Sequence, residues 1–182
     1  MLEGTPCRTY DEHVFERVVL GADPGMAATG LAAVSQERGK PPRVLWADTV
    51  RTSAEAPEAE RLRDLHEAVR SALTAHGPEA LAIERLMWGR NVGSAMGVAR
   101  ASGVLMVGAA AMGIPVREYA PLEVKMAVTG SGAAGKEAVR RSLSRLLGVE
   151  GVPSQPDAAD ATAVAVCHLA QASARRAVRM AR

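Results

Sequence analysis

The sequence predicts an α/β domain in which a mixed five-stranded sheet is flanked by helices on both faces. Three observations carry this. Short apolar runs at VVLGAD, GLAAVS and RVLWADTVRT follow one another with only turns between them. Two further runs, ALAIE and IPVREY, alternate with long helical patterns. Strands in succession followed by α-β-α-β-α suit an antiparallel start continued by parallel crossovers.

Residues 1–16 are polar and without periodicity, and read as a disordered leader. From Arg17 the pattern changes. VVLGAD is a buried strand, DPGMAATG a Gly/Pro turn and GLAAVS its hairpin partner. Pro41 and Pro42 keep the next loop irregular before RVLWADTVRT. Residues 55–76 form an amphipathic helix with Leu62, Leu65, Val69 and Leu73 on one stripe, ended at Gly77-Pro78. ALAIE is apolar on both faces and so central. The segment 94–112 is helical and apolar all round, with Arg100 nearly its only charge, and therefore needs cover on several sides. IPVREY is the fifth strand and PLEVKMAV a short helix. A glycine-rich loop at Gly130–Gly135 precedes a helix from Lys136 to Leu147. The last helix spans Pro156 to Arg175, and residues 176–182 form a basic, frayed tail. Residues 17–175 thus make one domain.

With 182 residues the chain can bury one good core. Aromatic content of 3% means that Ala, Val, Leu and Met must fill it. No apolar run reaches membrane-spanning length, and no basic-then-hydrophobic N-terminal signal is present. Cys7 and Cys167 are far apart without metal-ligand spacing, as in a reducing compartment. A soluble cytoplasmic protein is expected. Residues 1–16 carry Glu3, Asp11, Glu12 and Glu16 against Arg8, a net −3; the rest therefore holds +5 of the overall +2. Such a surface is compatible with a phosphate backbone but does not require one.

Four acids stand out. Asp23 and Glu84 each end a strand, and Asp157 and Asp160 open the last helix at i, i+3 on one face. Each has a plain structural reading: Asp23-Pro-Gly as a turn, Glu84 as a solvated strand end, and Asp157 as a helix-start acid with Ser154 three residues before it. The topology nevertheless brings these points towards one sheet edge, where ligand sites of α/β sheets collect. Gathered carboxylates without His or Cys select Mg²⁺ or Mn²⁺. Four of them can hold two ions about 3.5–4 Å apart, an arrangement suited to in-line displacement at phosphorus. Metal-dependent phosphodiester hydrolysis follows.

The segments GADPGMAATGLAAV, LAIERLMWGRN, YAPLEVKMAVTGSGAAGKEAV and PDAADATAVAVCH resemble, in order, the motifs of the RuvC family of Holliday junction resolvases. The resemblance covers Arg17 to Ala170. It implies a ribonuclease H-like fold, a homodimer, and symmetrical paired nicks in four-way junction DNA during recombination and repair. It also implies a RuvA–RuvB branch-migration partner. By position, Asp23, Glu84, Asp157 and Asp160 match the metal-binding catalytic acids, and Lys125 and Lys136 match basic positions near DNA. The chain departs from the family after Glu84, where an aromatic is common and Met87 stands, with Trp88 and Arg90 following. Trp88 has two readings: an exposed base-stacking ring beside Arg90, or a ring folded onto the core. Ala95, Ala99, Ser102 and Gly103 allow close helix approach, either within the chain or across a dimer axis. His168 reads as packed, without a catalytic role. The rival functions are a ribonuclease H-like enzyme maturing structured ribosomal RNA and an actin-like nucleotide-binding lobe. The latter architecture needs two lobes, and the chain has length for one.

Overall fold

The computed structural model describes residues 16–86 and 92–180. Five strands and five helices follow the expected order closely: β1 (Glu16–Asp23), β2 (Ala28–Glu37), β3 (Arg43–Arg51), α1 (Glu58–His76), β4 (Ala80–Glu84), α2 (Val92–Ala111), β5 (Val116–Tyr119), α3 (Pro121–Thr129), α4 (Lys136–Leu147) and α5 (Pro156–Met180).

 A single 3-10 turn, Val149–Gly151, joins α4 to α5.

The sheet order is β3-β2-β1-β4-β5. β1, β2 and β3 pair antiparallel, while β1–β4 and β4–β5 pair parallel. The mixed sheet is thus as expected. Its two faces bury different clusters because side chains alternate along each strand. Val19, Ala32, Val34 and Ala82 pack with α3, α4 and α5 through Val124, Val128, Val139, Leu143 and Val164. Leu20, Leu31, Ala33, Leu81 and Ile83 pack on the other face with Val69, Leu73, Leu105 and Ala109 of α1 and α2.

Two glycines set the spacing of the first face. A Cβ on Gly21 would stand 2.1 Å from the Ala161 carbonyl oxygen, and one on Gly30 would stand 1.9 Å from that of Asp157. Only glycine lets the backbone of α5 lie directly on β1 and β2 at these points. The opening turns of α5 are thereby pressed against the end of β1.

Four expectations need correction. Glu16 belongs to β1, where it pairs with Glu37, and not to a leader. α5 continues past Arg175 to Met180, as its Ala- and Arg-rich sequence allows. Since α5 begins at Pro156, its cap position is Gln155, whose carbonyl accepts from the Ala159 N–H; Ser154 lies one residue outside. Finally, the small residues of α2 do not share a face: Ala95 and Ser102 are buried, while Ala99 and Gly103 are exposed. α2 packs on one side, against α1, β4 and β5, and leaves Met96 and Val107, with Met112 just past its end, in solvent.

The Gly30→Ala and Gly21→Ala variants should each lose stability by about 2–4 kcal/mol, because backbone rather than a flexible side chain must give way. Thermal denaturation checks this; a melting temperature within a degree of wild type would refute the close-approach account.

Candidate active site

Asp23 and Glu84 are the last residues of neighbouring parallel strands, whose register aligns Ala22 with Ile83. They therefore emerge side by side at one edge of the sheet, on the face that carries α5. Asp160 reaches the same place from the first turns of α5. Lys125 comes from α3, and Lys136 from the first residue of α4. Together with Pro121, Val124, Val139 and Ala163, these five charged residues line a cavity of about 320 Å³. The Lys136 Nζ stands 3.4 Å from Asp160 Oδ2, and the lysine side chain is largely exposed.

The electrostatics follow from this crowding. Burial, then the charges of Glu84, Asp160 and Asp157, push the Asp23 carboxyl up to about 7, against a smaller opposing pull from Lys136. Glu84 is also raised, by burial first and Asp160 second, with Lys136 and Lys125 opposing. Asp157 does not line the cavity, yet it is close enough to act on Asp23. The four acids are thus brought to one corner of the fold. Among the described residues, no set of three His, Cys, Asp or Glu side chains is arranged to hold a metal ion as it stands. The donor chemistry nevertheless fits a hard divalent cation: every candidate ligand is a carboxylate oxygen, and the mutual repulsion is what such a cation relieves.

Residues not singled out in the sequence hold this corner in place. Thr29, fully buried, donates its hydroxyl to the Gly25 carbonyl at 2.7 Å and so fixes the turn after Asp23. The Met26 carbonyl accepts from Thr52 Oγ1 at 2.6 Å and from Arg61 Nη2 at 3.1 Å, while Arg61 Nε donates to Thr52 Oγ1. On the other side, Glu123 accepts from the Ala120 N–H at 2.8 Å and forms an ion pair with Arg85, the residue after Glu84. A polar residue inside an apolar strand, as at Thr29, was the available signal; the long-range partners of Arg61 and Glu123 had none. His168 is buried, with Nδ1 2.9 Å from the Tyr119 hydroxyl, and lies in the core as read. Met87, Trp88 and Arg90 lie outside the described residues.

A family model described as crossover junction endodeoxyribonuclease RuvC matches residues 19–168. The chain belongs to the RuvC family. It is 45% identical over 150 residues to crossover junction endodeoxyribonuclease RuvC of Mycobacterium avium, covering 82% of this chain and 80% of that one. The protein of the same name from Mycobacterium leprae is 44% identical with the same coverage. Among solved structures, T. thermophilus RuvC in complex with Holliday junction substrate superposes with a TM-score of 0.81 at 36% identity, over 86% of this chain and 94% of that one. The yeast mitochondrial Holliday junction resolvase Ydc2, 14% identical with a TM-score of 0.61, shares the fold. RuvC enzymes are nucleases acting on DNA phosphodiester bonds, and family membership implies dependence on a divalent metal. These relatives weigh against the RNA-maturation and actin-like readings. Among the described residues, no helix is long and apolar enough to cross a membrane.

A stability test isolates the acidic corner without relying on turnover. Folded, metal-free protein keeps the Asp23 proton up to about pH 7, whereas an unfolded aspartate releases it near pH 4. Between those values the folded state binds the extra proton, so metal-free stability falls as pH rises from about 4 to 7 and stays low above. Asp23→Asn removes that penalty. Its melting temperature should exceed wild type by several degrees at pH 8, and the gap should close by about pH 4. Added Mg²⁺ should raise the wild-type value at pH 8 and leave the variant nearly unmoved. Equal melting temperatures at pH 8 would contradict the burial.

Proposed function

We propose that this chain resolves Holliday junctions, as a divalent-metal-dependent endonuclease that nicks two opposed strands symmetrically in recombination and repair. What carries the reading is the meeting of Asp23, Glu84, Asp160, Lys125 and Lys136 around one cavity in a RuvC-family fold.

Asp23, Glu84, Asp157 and Asp160 are the ligands, for two Mg²⁺ or Mn²⁺ ions. Bound there, such ions supply Lewis-acid stabilisation of phosphoryl oxygens and a hydroxide nucleophile near neutral pH. The protein supplies the rest. β1 and β4 fix two carboxylates on rigid strands, and the turn clamped by Thr29 and Arg61 holds Asp23 from behind. Lys136 sits beside Asp160 and carries a mobile ammonium to the scissile phosphate, where it stabilises the added negative charge. Lys125 approaches the same phosphate from α3 and helps hold the strand. Val124, Val139 and Ala163 form an apolar wall that limits water on one side. Met87, Trp88 and Arg90 follow Glu84 directly in the chain, a placement suited to contacts with unstacked bases.

A four-way junction has near two-fold symmetry, and a C2 dimer presents two such sites to equivalent strands. The exposed apolar side chains Met96 and Val107 of α2, with Met112 just past its end, support a homodimer surface there. RuvA–RuvB as partner and a cytoplasmic location complete the proposal and rest on family resemblance.

The test is a synthetic four-way junction with Mg²⁺ or Mn²⁺, run beside structured RNA. Wild type should make paired nicks in the junction and leave the RNA intact. Asp23→Asn and Glu84→Gln should each lower the rate at least 100-fold, and Lys136→Ala by about 10²–10³ without abolishing binding. Preferential cutting of RNA, or undiminished cutting by Asp23→Asn, would overturn the proposal.

A further inference from the structure

Outside the catalytic cavity, α4 carries a basic outer face. Its sequence, KEAVRRSLSRLL, buries Val139 and Leu143 and exposes Arg140, Arg141 and Arg145. Lys136 and Arg140 are one turn apart, as are Arg141 and Arg145, so the cations form two stacked pairs. Glu137 is the only acid of the helix. None of the three arginines takes part in a salt bridge among the described residues.

The course of the helix gives this charge a direction. α4 starts at the catalytic cavity, which Lys136 lines. It ends at the opposite edge of the sheet, in a groove of about 560 Å³ between its own C-terminal turn and the β2–β3 connection. Lys40, Arg43 and Arg145 line that groove, with Glu37 as its only acid among the described residues. Lys40 and Arg43 flank Pro41-Pro42, which holds them on a stiff turn and lowers the cost of ordering them.

We propose that the outer face of α4 and the groove at its end form a track for the phosphate backbone of a duplex arm of the junction. The proposal rests on the resolvase reading and extends the DNA contact well beyond the cut. Twelve helical residues span about 18 Å, the length of about five phosphates on one strand of duplex. Continuity with the nuclease mouth favours DNA over an acidic peptide as the occupant. The phosphate of an arm entering the groove competes with Glu37 for Lys40, whose Nζ lies 2.5 Å from that carboxylate.

Fluorescence anisotropy in EDTA, over a series of salt concentrations, reads the track without cleavage. With arms of about 20 base pairs, Arg141→Gln/Arg145→Gln should weaken junction binding several-fold at moderate salt and flatten the log K against log salt slope by about 2. Arg141→Glu/Arg145→Glu should weaken it tenfold or more. A junction whose arms carry neutral methylphosphonate linkages from about the second phosphate outward, and so offer the track no charge, should bind wild type and the Gln pair alike. The Gln pair keeps the test usable if the reversed charges impair folding, which circular dichroism monitors. An unchanged affinity and slope on fully charged arms, or an equal loss on the neutral-backbone arms, would overturn the track. Paired nicking by wild type is scored separately: its absence defeats the resolvase reading, whereas nicking with an unaltered slope defeats only the track.

Discussion

The closeness of α5 to the sheet is the constraint on which the rest of the site depends. Gly21 and Gly30 remove the side chains that would otherwise hold the helix away, and the carbonyls of Ala161 and Asp157 occupy the space. A helix resting on ordinary residues would stand farther off, since helix and sheet layers are normally separated by side chains. Here the first turns of α5 instead descend to the strand ends, and Asp160 joins Asp23 and Glu84. The packing that completes one half of the core also builds the acidic corner.

That corner is costly to assemble. Like charges in a partly desolvated place raise one another's affinity for protons, as at Asp23 and Glu84. Two lysines offset part of the cost from α3 and α4, elements that belong to the same core layer as α5. Their backbones are anchored by Val124, Val128, Val139 and Leu143, while their ammonium groups remain accessible. Rigid carboxylates and movable cations are a suitable division of labour for binding metal and phosphate in the same place.

Much of this was legible in the sequence because it is local. Alternating or continuous apolar runs mark strands, and Glu84 is conspicuous because it directly follows one. The sheet order followed from hairpin turns first and helical crossovers later. Other features depend on distant partners. Nothing around Gly21 or Gly30 reveals that they face Ala161 and Asp157. Whether Ala95 or Ala99 points inward depends on the exact phase of α2 against α1, which an all-apolar helix does not encode. The end of α5 at Met180 is not encoded locally, because a run of arginines resembles a solvated tail as readily as an exposed helix turn.

Arg61 gives the far side of the molecule a hold on the chemistry. It belongs to α1, in the layer on the opposite face of the sheet, yet its guanidinium grips the Met26 carbonyl in the turn that follows Asp23. Arg100 of α2 is in turn paired with Glu58 at the start of α1. The two helix layers are therefore not interchangeable padding around a sheet. One carries ligands and lysines, and the other braces the strand end from behind, so a disturbance at the outer surface of α1 and α2 has a short mechanical route to the position of a single carboxylate.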